Sequence, residues 1–71
     1  MANHHDPRRR EMLAAVLTAG GSLDVAEWRA LGLRHDYNPR GLAGFFGGRY
    51  PSMVSDGRRR CLTDRGRQRA E

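Results

Sequence analysis

A chain of 71 residues has room for one small core and none for a deep substrate cleft; domains near this size bury only about 60% of their unfolded surface. Thirteen arginines, no lysine and eight acidic side chains give a net charge of +5, and a compact domain with this balance meets a polyanion, nucleic acid most often. A genomic bias that swaps lysine for arginine accounts for the choice of arginine but not for the net excess. The 38% hydrophobic content argues against disorder. The single Cys61 excludes an internal disulfide or a multi-cysteine metal site. No apolar run approaches a membrane span, so a soluble, cytoplasmic protein is expected, nucleoid-associated if it binds DNA.

In chain order, residues 1–6 read as a flexible terminus and 7–71 as one domain. His4 and His5 beside Asp6 suit a solvated tail better than a metal site. Asp6-Pro7 is an N-cap followed by proline at the first helical position, and predicts a helix from Pro7 to Ala19. Leu13, Val16 and Leu17 form its buried stripe with Met12 at the margin, and Gly20-Gly21 end it. Arg8, Arg9 and Arg10 crowd the first turn, where cations oppose the helix dipole. They are either a solvated basic end or contacts to phosphate.

Ser22-Leu23 is a short extended piece able to pair with a later strand. Asp24 and Glu27 resemble a capping box that opens a second helix over Val25–Leu31, with Val25, Trp28 and Leu31 inward and Gly32 as its stop. Leu33 is expected to tuck beneath the following connection. His35 and Asp36 sit in a surface turn, since general-base chemistry needs a positioned third group and a pocket. Asn38-Pro39 repeats the cap-and-proline grammar and starts a third helix ending at Gly47-Gly48. Leu42, Phe45 and Phe46 make its apolar stripe, while Arg40, Gly41, Ala43, Gly44 and Gly47 leave the opposite face almost bare.

Beyond Arg49-Tyr50-Pro51, two extended segments, Ser52–Val54 and Arg59–Leu62, flank Asp56-Gly57, a strong hairpin signal. Met53 and Leu62, with Cys61 as an alternative, face the core, and Arg58, Arg59 and Arg60 cluster at the tip. Thr63 then caps a last, largely polar helical segment that includes Arg65, Arg67 and Arg69. No paired carboxylates, nucleophile–base pair, phosphate loop or metal cluster stands at a usable spacing, so neither an enzyme nor a cofactor is expected.

The resulting fold class is mainly α with a small β-hairpin. Two helices, a tight turn and a basic hairpin leading into Leu62-Thr63-Asp64-Arg65-Gly66-Arg67 resemble the winged helix-turn-helix group, in which a Leu-Thr strand end precedes a helix with glycine three positions after the threonine. The resemblance covers about Pro7 to Ala70 and implies three helices, a wing hairpin and a short C-terminal helix. It further implies a non-catalytic double-stranded DNA-binding protein, a small transcriptional or phage-type regulator, monomeric or dimerising on DNA.

Carried over by position, Asn38–Gly48 is the recognition helix and Ser52–Leu62 the wing. The expected DNA-binding residues are Asn38, Arg40, Arg49, Arg58, Arg59, Arg60, Arg8, Arg9 and Arg10. The sequence departs from the family at its recognition helix, which offers Arg40 and Asn38 and then alanine and glycines. The glycine face either approaches a DNA backbone closely or packs against another element. The alternative function is a protein-interaction module of a larger enzyme or assembly that docks through the Gly41/Gly44/Gly47 face. Single-stranded RNA fits less well, because only Tyr37 and Tyr50 remain for base stacking.

Overall fold

A computed structural model describes residues 7–71 of the chain; the Asp6 cap and the His4–His5 pair lie outside them. Four helices and a three-stranded antiparallel sheet follow in the order α1 (Pro7–Thr18), β1 (Ser22–Asp24), α2 (Val25–Arg34), α3 (Pro39–Ala43), a 3-10 turn (Gly44–Phe46), β2 (Met53–Asp56), β3 (Arg59–Leu62) and α4 (Asp64–Ala70). The strand order is β1-β3-β2, so the short extended piece at Ser22 does pair with the hairpin, Ser22 opposite Cys61 and Asp24 opposite Arg59. Among the described residues no helix is long and apolar enough to cross a membrane.

Local capping chemistry builds the helices. Asp24 accepts from the Ala26 amide while Glu27 accepts from the Asp24 amide, the reciprocal box expected of this spacing. Asn38 and Thr63 cap α3 and α4 by accepting from Gly41 and Gly66. At the other end of α1, the Gly21 amide donates to Val16 and the Gly20 amide to Leu17. This is a Schellman closure with Gly20 in the left-handed region at φ +106°.

The end of α2 corrects the expected stop at Gly32. Gly32 lies inside the helix and is buried because Leu42 packs on it; a Cβ there would stand 2.6 Å from a Leu42 methyl. The helix closes instead by the same Schellman pattern, with the Tyr37 amide donating to Gly32 and the Asp36 amide to Leu33. Asp36 takes the left-handed position at φ 62°, one of the few conformations that aspartate shares with glycine. Lengthening α2 carries Leu33 to its outer side, where it is 73% exposed rather than tucked beneath the connection.

Met12, Leu13 and Val16 of α1, Trp28 and Leu31 of α2, Leu42, Phe45, Met53, Leu62 and Ala70 form the core. The buried face of α1 is rotated from the expected one, because Met12 is fully buried and Leu17 only half. Val25, expected inward, is half-buried too. Trp28 anchors the core, meeting Phe45 edge-on at 5.1 Å and Phe46 at 5.8 Å between ring centroids. Tyr37 packs edge-on against Phe45 at 5.4 Å, so it is committed to the fold and not free to stack on a base.

The hairpin turns one residue later than expected. Asp56 pairs with Arg59, which leaves Gly57-Arg58 as the two-residue loop. Of these two residues only Gly57 has a positive φ, +58°, the pattern of a type II′ turn with glycine first. Polar α4 is held through Ser52, a serine 1% exposed. The Ser52 carbonyl accepts from the Thr63 amide, its amide donates to Phe45, and its hydroxyl accepts from Arg69 at 2.7 Å. A Cβ on Gly66 would run into that carbonyl, so glycine at this position lets α4 lie against the backbone at Ser52.

Candidate nucleic-acid interface

The segment expected as a recognition helix from Asn38 to Gly48 is shorter. Only Pro39–Ala43 is α-helical, the 3-10 turn carries the chain to Phe46, and Gly47 is already extended. Gly41 and Gly44 supply no side chain to support a longer helix and cost roughly 1 kcal/mol each relative to alanine. The tightening seats Phe45 in the core and leaves Phe46 half-buried.

The three glycines therefore do not share one helical face. A Cβ on Gly41 would stand 2.9 Å from the Tyr37 ring, one on Gly44 would have only an Arg9 nitrogen near it at 3.8 Å, and one on Gly47 would have nothing within 4 Å. Close packing accounts for Gly41, while Gly44 and Gly47 are open.

On this flank of α3 the fold brings together arginines that lie far apart in the chain. Arg8 and Arg9 from α1 and Arg40 from α3, with Asn38, Gly41 and Gly44 between them, line a groove of 420 Å³. The α1 guanidinium groups are held over aromatic rings, Arg9 4.2 Å from the Phe45 centroid and Arg8 4.8 Å from that of Tyr37. Cation–π contacts of about 0.5–2 kcal/mol offset the unfavourable position of these cations at a helix N-terminus. Asp36 is the one carboxylate among the lining residues. Asn38 directs its side-chain oxygen to the Gly41 amide at 2.7 Å, so its role here is first a cap.

A second groove of 390 Å³ adjoins the first through Arg9 and adds Arg10 and Arg69. Arg69 of α4 donates to the Tyr50 carbonyl and to Ser52. Partial burial, then the positive charges of Arg65 and Arg9, hold its pKa below the usual arginine value. Arg65 lies over the Tyr50 ring at 4.6 Å. Arg65 and Arg69 are absent from the expected set. Their i, i+4 spacing on a capped helix was the available signal, but that spacing does not say that α4 lies beside α1.

The hairpin arginines have separate roles. Arg59 donates to the Ser22 hydroxyl at 2.7 Å and carbonyl at 3.3 Å, fastening β3 to β1. Arg60 folds back onto the carbonyls of Gly57 and Arg59. The carbonyl of Arg58 accepts from the Val25 amide at 2.8 Å, so the hairpin tip is braced on the start of α2. Among the described residues, the side chains of Arg40, Arg49 and Arg58 form no hydrogen bond or ion pair. His35 ends α2 with Nδ1 3.1 Å from the Leu31 carbonyl and Nε2 3.7 Å from Glu11. No group of three or more His, Cys, Asp or Glu side chains suited to a metal gathers among the described residues.

Comparison of the chain with protein-family models, curated proteins and solved structures yielded no match.

Proposed function

We propose that this chain is a non-catalytic double-stranded DNA-binding domain of the winged helix-turn-helix kind, serving a small transcriptional or phage-type regulator. The observation that carries the reading is the convergence of Arg8, Arg9 and Arg40 on the exposed flank of α3. A phosphate chain laid along this flank meets the Arg8 and Arg9 guanidinium groups and, at Gly44, a backbone with no side chain over it, with Arg40 beside them. Support for the winged-helix part comes from the element order, with α2 and α3 followed directly by a basic hairpin.

In this reading Arg40 reaches a base edge from the first turn of α3, where a bidentate contact to guanine is worth roughly 1–3 kcal/mol of discrimination. Arg8, Arg9, Arg10, Arg49, Arg58 and Arg60 neutralise phosphates, with Arg69 extending the basic surface around α1. Arg59 combines any phosphate contact with its tie to Ser22, so Arg58 is the cleaner probe of the hairpin.

The test is binding to duplex across a salt series. About six phosphate contacts give a slope of log K against log salt near −5. A slope shallower than about −2, or no duplex binding at low salt, overturns the proposal. Arg58→Ala is expected to weaken all sequences alike, and Arg40→Ala to relax base preference as well.

A further inference from the structure

The other flank of α3 has a different chemistry. Leu33, Val25 and Trp28 from α2 face Pro39, Ala43 and Phe46 across an open groove of 490 Å³. Leu33 at its rim is the most exposed large apolar side chain among the described residues. Arg29 of α2 and Arg60 of the hairpin also line the groove, and no acidic residue does. The charge of Arg60 is directed at turn carbonyls and that of Arg29 at no carboxylate among the described residues.

We infer that this groove is a docking site for an amphipathic helix of a partner protein, with apolar anchors flanked by acidic side chains. An apolar floor between two helices accepts side chains at i, i+3, i+4 and i+7 of a third. Two rim arginines without a carboxylate select glutamate or aspartate on the flanks of that helix and reject lysine. A second copy of this chain is a poor occupant, because each carries a net charge of +5 and its arginines would meet the same rim. The site goes beyond duplex binding: Arg8, Arg9 and Arg40 lie on the opposite flank, Tyr37 lines both grooves, and Arg60 is the one rim residue shared with the duplex contacts proposed above.

The probe is a fluorescein-labelled helical peptide with leucines at those four spacings and glutamates beside them, followed by anisotropy with the full chain. A scrambled peptide of the same composition and a lysine-for-glutamate version are the comparisons. The glutamate peptide is expected to bind saturably and the other two at least tenfold more weakly. Leu33→Glu, at a position too exposed to threaten folding, is expected to weaken the glutamate peptide at least tenfold. Arg29→Glu with Arg60→Glu shifts preference towards the lysine peptide. Circular dichroism of each variant confirms its fold.

Equal binding of the scrambled peptide overturns the inference, since it reports only attraction to a basic protein. So does a loss of binding in Arg40→Glu but not in Leu33→Glu. Self-association removed by Leu33→Glu assigns the groove to a second copy and likewise overturns it. Duplex titrations of the unaltered chain and of Leu33→Glu keep the two sites apart, since Arg60 belongs to both: duplex binding that fails while the peptide result stands refutes the DNA reading alone, and loss of duplex but not peptide binding in Leu33→Glu refutes this one.

Discussion

The two flanks of α3 lie one short helix apart and present opposite chemistry. One holds Arg8, Arg9 and Arg40 around glycine backbone; the other holds Leu33, Ala43 and Phe46 between two rim arginines. Glycine also works differently on the two sides of this region. Gly32 is filled by Leu42, so its missing side chain is a packing requirement, whereas Gly44 faces open space near Arg9. The lesson is that a helix too short to carry a face of its own takes its character from what its neighbours bring to each side.

The largest expected effect that separates the flanks is on duplex affinity. Arg40→Glu is expected to weaken duplex binding by about 2 kcal/mol, roughly thirtyfold, in gel shifts at moderate salt. Leu33→Glu is expected to leave it within about twofold. Similar losses from both would mean that duplex spans α3 entirely, and the contrast would be lost.

Stability gives the next test. Gly32→Ala is expected to cost about 1–3 kcal/mol in urea denaturation, because its Cβ meets Leu42 in a packed site. Gly44→Ala is expected to gain roughly 0.5–1 kcal/mol, because its right-handed backbone suits alanine and the substitution restricts the unfolded chain. It is also expected to weaken duplex binding about threefold, its methyl standing where the backbone meets phosphate. Unchanged duplex binding would assign Gly44 no part in phosphate approach.

The smallest effect concerns Asp36, the acid in the basic groove. Asp36→Gly is expected to stabilise the chain by a few tenths of a kcal/mol, since glycine relieves the left-handed position at the end of α2. Removing the carboxylate is expected to tighten duplex binding about twofold. A weaker complex instead would show that Asp36 orients Arg8 or Arg40 for contact.

Among the expected DNA-binding residues, the sequence indicated the type of side chain better than its role. Arg8 and Arg9 read equally as a solvated end or as phosphate contacts, and the rings beneath them are contributed by Tyr37 and Phe45, more than 25 residues away. Arg59 was legible as a hairpin arginine but not as a tie to Ser22, because that bond depends on β1 joining the sheet. Arg69 is hidden from the sequence for the same kind of reason: its partners are at Tyr50 and Ser52.

What the sequence by itself determined is the local chemistry: the caps at Asp24, Asn38 and Thr63, the glycine closure of α1, the existence of the hairpin and the apolar anchors Trp28, Leu42, Phe45, Met53 and Leu62. Each depends on groups within a few residues of one another, so spacing is enough to reveal it. Tertiary structure alone decided that α2 runs past Gly32, that the segment expected as a recognition helix is five α-helical residues and a 3-10 turn, and that α3 lies between a basic groove and an apolar one. Those outcomes rest on Leu42 filling the space at Gly32, on Phe45 entering the core and on Arg8 and Arg9 of α1 reaching the flank of α3, contacts between segments whose separation along the chain hides them.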